Sequence, residues 1–155
     1  MDKLNTLSMG EKVAAAGSVL LIIFSFLPWY KYSFGGLEEL GIDGGSVSRH
    51  ALQSPGAIWG VIAFFAAIAL LIAILGPKFA NLQLPALGSV TWGQAFLGLG
   101  VLALVCVILK FINESSYLAF GFYIGFLAAV AMAAGGYLLF TEEKGSSPFG
   151  NTRPQ

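Results

Sequence analysis

Residues 117–140 read YLAFGFYIGFLAAVAMAAGGYLLF, and no charged residue interrupts them. As a helix rising 1.5 Å per residue, this stretch is about 36 Å long, against a bilayer hydrocarbon core of about 30 Å. Three further apolar runs, Val13–Tyr30, Gly56–Leu75 and Trp92–Ile112, come to roughly 27–32 Å by the same arithmetic. In lipid the backbone must satisfy its own hydrogen bonds, so such runs become helices. The expected fold is all-α: a four-helix transmembrane bundle with a longer outer loop, Lys31–Pro55, between helices 1 and 2. Residues 1–140 form a single four-span membrane domain and residues 141–155 a flexible polar tail.

Composition agrees. The chain has 155 residues, 57% hydrophobic and only 10% charged, with a mean hydropathy of +0.80. A soluble domain carries about 25% charged residues. Eight Lys and Arg balance eight Asp and Glu, so no basic footprint for nucleic acid exists. The partner implied directly is the lipid bilayer. The first run exceeds a cleavable signal's apolar region and lacks a small-x-small site, so it reads as a retained anchor.

Local punctuation supports the helices. Ser8-x-x-Glu11 and Thr91-x-x-Gln94 have capping-box spacing. Ser54-Pro55 reads as an N-cap followed by a first-turn proline, and Gly76-Pro77 as a helix stop. Asn113–Ser116 is short, so the third and fourth helices must be adjacent and antiparallel. Tyr30, Tyr32 and Phe34 alternate with polar residues, a pattern that fits a short strand. Phe79, Leu82, Leu84 and Leu87 place the second loop along the headgroup region.

Orientation rests on Lys and Arg. Lys3, Lys12, Lys78, Lys144 and Arg153 fall on one side, Lys31, Arg49 and Lys110 on the other. The fuller side is cytoplasmic by this rule, so both termini face inward in a multi-pass cell-membrane protein. Trp29, Tyr30 and Trp59 at one interface and Trp92 at the other are expected as anchors. Lys110 is expected to snorkel outward and pair with Glu114 at the i,i+4 spacing.

Within the four runs Lys110 is the only Asp, Glu, Lys, Arg or His. Proton relays and ion paths need such groups at membrane depth. The small multidrug exporters carry a glutamate in helix one; here that helix offers Ser18 and Ser25. Cys106 is the single cysteine, so no disulfide forms and a packing role is expected. His50 alone cannot build a zinc site, and Glu38, Glu39 and Asp43 lack the spacing of a calcium loop. No catalytic, cofactor or metal residue is expected, and no enzyme.

The pattern that remains concerns packing. Gly121, Gly125, Ala129 and Ala133 make a ridge of small side chains, and Gly56 and Gly60 a shorter one. Membrane helices associate through close contact, which small residues allow. The ridge serves either the bundle itself or a docking face for another subunit or a second copy. The functional expectation is a structural or accessory subunit that packs against other membrane proteins. A passive binder or conduit for a lipid or small apolar molecule is the alternative, on the strength of 13 Phe and 14% aromatic residues.

Ser25-Phe26-Leu27-Pro28-Trp29-Tyr30 at the end of the first run, with the order of loops and spans around it, resembles a broad group of small four-span membrane proteins of actinobacteria and related bacteria. That group has no assigned function. The resemblance covers the first run to Phe140 and implies a bacterial cell membrane. It carries over no catalytic or binding residue.

Overall fold

The computed structural model describes residues 5–33, 41, 45–53 and 56–145. Among them the chain forms α1 (Met9–Ser25), β1 (Pro28–Ser33), β2 (Ser46–His50), α2 (Ala57–Phe79), α3 (Trp92–Asn113) and α4 (Phe120–Gly145). The protein is thus mostly helical, with one antiparallel two-stranded sheet. The helices α2, α3 and α4 are long and apolar enough to cross a membrane.

Both capping boxes form. The Ser8 hydroxyl accepts the Glu11 N–H while the Glu11 carboxylate accepts the Ser8 N–H, and Thr91 and Gln94 make the same exchange. Four other boundaries differ from expectation. The first run does not remain helical to Tyr30. At 17 residues, α1 begins at Met9 and ends at Ser25. Pro28 has no N–H to continue the ladder to the Phe24 carbonyl; the Trp29 indole donates to that oxygen instead, at 2.7 Å. The N-cap of α2 is Gly56 in the left-handed region at φ 67°, and Ser54 and Pro55 lie outside the described residues. Gly76-Pro77 does not stop α2, which reaches Phe79; the N–H groups of Ala80 and Leu82 then close on the Gly76 carbonyl. α4 likewise passes Phe140 and runs to Gly145, so residues 141–145 are helix and not tail.

The strand inferred from Tyr30 and Tyr32 exists as β1, while Phe34 lies outside the described residues. β1 pairs with β2, and Pro28 faces His50 while Tyr30 faces Arg49, leaving Trp29 as an extra residue. This bulge suspends strand alternation. Trp29 and Tyr30 therefore both enter the core, at 1% and 0% exposure.

The four helices form a ring in which α1 packs on α2 and α4, and α3 on α2 and α4. Neighbours in the ring are antiparallel. Along α4, Gly10, Ala14 and Gly17 of α1 meet Leu139, Gly135 and Met132 in turn, while Phe96 and Gly100 of α3 meet Gly136 and Met132. These approaches are backbone to backbone. A Cβ added at Gly17 would lie 2.8 Å from the Ala128 carbonyl oxygen, and one at Gly100 2.6 Å from that of Met132. One at Gly136 would lie 2.6 Å from the Phe96 carbonyl oxygen. Leu21, Leu70, Val107 and Met132 fill the remaining centre.

Two glycines on one helix should therefore respond in opposite directions. Gly98 has nothing within 4 Å of an added Cβ, so Gly98→Ala should raise stability by about 0.5–1 kcal/mol through helix propensity. Gly100→Leu should lower it by about 1–3 kcal/mol or more through overpacking. Thermal unfolding of both variants in one detergent checks the pair.

Candidate functional site

The end of the bundle that carries the hairpin holds the most unusual chemistry. β1 is fastened on both sides. Beyond its pairing with β2, the Ala119 N–H donates to the Trp29 carbonyl at 2.7 Å and the Lys31 N–H to the Tyr117 carbonyl at 2.9 Å. The Ala51 N–H, just after β2, donates to the Ser25 carbonyl at 3.2 Å. Gly60 leaves room for the Ala51 carbonyl, which a Cβ there would strike.

Lys110 lies beneath this assembly with 0% exposure. Its Nζ donates to the carbonyls of Gln53, at 3.2 Å, and Gly56, at 3.3 Å. The ammonium sits 5.3 Å from the centroid of the Tyr30 ring, and the Tyr30 hydroxyl donates to the Lys110 carbonyl at 3.3 Å. The expected snorkelling and the i,i+4 pair with Glu114 do not form. That spacing requires helix through residue 114, but α3 ends at Asn113 and Glu114 is its extended C-cap, at φ −148° and ψ 94°. Glu114 acts instead on the tyrosines. Burial, reinforced by Glu114 and then Tyr32, pushes the Tyr30 phenol up to about 12. Burial and Glu114 also raise Tyr32.

Of the aromatic anchors, Trp29 and Tyr30 are interior. Trp29 is buried against Phe122, and its indole hydrogen is spent on Phe24. Trp59 is partly buried against the core. Trp92 is partly buried at the far end, where its indole donates to the Pro85 carbonyl at 3.2 Å. Trp29 and Tyr30, placed at a span end by sequence, therefore serve as packing groups, because the bulge and the helix break turn them inward.

Of the small-residue ridge, Gly121 and Gly125 face Pro28 and Trp29, so that half receives the strand and its indole and not a helix. Ala129 is fully buried, and Ala133 lies across from Gly100 of α3. Gly56 adjoins Asn113 and Lys110. Sequence reading missed the equally close contacts of Gly10, Gly17, Gly100, Gly135 and Gly136. The seven-residue spacings Gly10–Gly17 and Gly93–Gly100, and the Gly135-Gly136 doublet, were the available signals.

The opposite end is closed by charge. Glu142 of α4 accepts from the Ser8 hydroxyl at 2.6 Å and from the Gly10 N–H at 3.2 Å. Glu143 accepts from the Gly93 N–H at the start of α3. Carboxylates are favoured at helix N-termini, where free N–H groups concentrate positive potential. Lys78 at the end of α2 forms an ion pair with Glu11 and donates to the Thr6 carbonyl at 3.1 Å. An open cleft of about 630 Å³ lies among these groups.

Among the described residues no His, Cys, Asp and Glu group is arranged to hold a metal. Glu38, Glu39 and Asp43 lie outside them. His50, in β2, has a buried Nδ1 with no hydrogen-bond partner among the described residues. Comparison with protein-family models, curated proteins and solved structures gives no match.

Tyr30 supplies a titration test. Its folded value of about 12 exceeds the ordinary 10.0, so folding favours the neutral phenol. That contribution is complete below the ordinary value and is lost as pH rises through about 12. Phenolate absorbance should show a late-ionising tyrosine that Tyr30→Phe removes. The same variant loses the bond to the Lys110 carbonyl, at about 1 kcal/mol.

Proposed function

We propose that this chain is a four-span protein of a bacterial cell membrane, non-catalytic, acting as a structural or accessory subunit. The fourth span is α1. Its 17 residues fall short of a bilayer alone, but it packs antiparallel along α4, from Glu142 at its start to Gly121 just beyond its end. It therefore covers the same depth as a helix able to cross. Met9, Val19, Leu20, Ile23 and Phe26 are exposed along or beside it, the surface lipid requires.

The observation that carries the structural reading is the backbone-level closure of α4 against both α1 and α3. A bundle centre filled this way favours a rigid body over a central conduit. The small residues are used within the bundle, so contact with a partner falls to the hairpin and the outer faces. A second reading has one specific support. A wholly apolar groove of about 390 Å³ lies on the outside between α3 and α4, lined by Ile108, Phe111, Phe122, Tyr123 and Phe126. It suits an acyl chain or another small apolar molecule.

Purification in mild detergent followed by native mass spectrometry separates the two. A stoichiometric protein partner or second copy is expected; a retained lipid without protein favours the groove. Topology is tested by labelling. Four spans with the fuller Lys and Arg side inward place both termini in the cytoplasm and Ser46→Cys outside. Termini on opposite faces would mean three spans, and labelling of Ser46→Cys only from the cytoplasm would invert the orientation.

A further inference from the structure

Lys110 is the largest charged side chain taken wholly out of solvent among the described residues. Removing an ammonium from water costs several kcal/mol unless hydrogen bonds replace its hydration. Here the replacement comes from main-chain carbonyls of one connection. Gln53 and Gly56 both lie in the six-residue connection, 51–56, between β2 and α2, and both carbonyls accept from Nζ. Gly56 holds the left-handed conformation that begins α2 at this place. A Cβ on Gly56 would lie 2.9 Å from Asn113 Nδ2 and 3.6 Å from the Lys110 side chain. Gln53 and Gly56 therefore lie against the end of α3.

The same lysine is fixed from beneath. The Tyr30 ring supports the ammonium and the Tyr30 hydroxyl bonds the Lys110 carbonyl. β1, the connection after β2, and the last turn of α3 thus meet at one side chain. Hydrophobic burial does not account for the choice, since methionine has a similar length and no desolvation cost. What methionine lacks is a cation able to seat carbonyls that would otherwise need water.

We propose that Lys110 is a tethered cation that straps the β2–α2 connection to the end of α3, and so holds the hairpin as a fixed platform on that face. The role is conformational and local. The bundle is held by its glycine contacts, and the strand β1 by its own bonds to residues 117–119. The strap governs residues 51–53 and Gly56.

Hydrogen exchange on the full chain in lipid nanodiscs tests this. In Lys110→Met, peptides spanning residues 45–56 should exchange at least ~10-fold faster, while peptides from α4 keep their protection. In Lys110→Ala, added ethylammonium should restore much of the loss, because a free cation can occupy the vacated carbonyl seats, and equal sodium chloride should not. Where Lys110→Met yields no folded protein, Lys110→Gln retains donors without charge and should give a smaller acceleration in the same peptides. Unchanged exchange over residues 45–56 would overturn the strap. So would equal acceleration throughout α4, since the lysine would then support the bundle and not the connection. Equal rescue by both salts would overturn its cationic basis.

Discussion

Contact between backbones, made possible by missing side chains, is the constraint on which the rest of this structure depends. In lipid, helices gain nothing by hiding leucine from leucine. α4 reaches α1 through Gly17 and Gly135, and α3 through Gly100 and Gly136. These positions lie on two sides of one helix, so α4 becomes the shared wall of the ring. Large side chains then occupy only the central gaps and the outside. The exposed Phe65, Tyr123, Leu127 and Tyr137 belong to that outer surface.

The two ends follow from this arrangement by different chemistry. At one end, ring order brings the last turn of α4 against the first turns of α1 and α3, where Glu142 and Glu143 meet free N–H groups. At the other, the chain must leave α1, form a hairpin and enter α2 above the end of α3. Pro28 breaks the helix, the bulge at Trp29 turns two aromatic rings inward, and the Lys110 ammonium collects the carbonyls of the returning connection. One end is closed by carboxylates on helix N-termini and the other by a cation on carbonyls.

Much of this was legible in the sequence. Length and hydropathy locate the apolar helices, and the Ser8–Glu11 and Thr91–Gln94 spacings locate two helix starts. What escaped depended on geometry that spacing does not carry. Lys110 and Glu114 have the right separation for an ion pair, yet the helix ends between them. Trp29 and Tyr30 have the composition of an interfacial belt, yet a bulge fixes their direction. The ridge from Gly121 to Ala133 is real as a run of small residues, but half of it receives an indole. The helix-to-helix backbone contacts fall instead to Gly10 and Gly17 of α1, seven apart, to Gly100 of α3 and to the Gly135-Gly136 doublet of α4.

Tryptophan scanning of α4 in native membranes tests the shared-wall arrangement most directly. Each position from Gly121 to Leu139 would be replaced in turn and the amount of folded protein measured. Substitutions at Ala128, Ala129, Met132, Gly135 and Gly136 should abolish accumulation, because these side chains face α1 or α3 or are fully enclosed. Substitutions at Tyr123, Leu127, Val130 and Tyr137 should be tolerated, since these point outward. Tolerance at Ala128, Gly135 and Gly136 together would contradict the burial of α4 between its two neighbours.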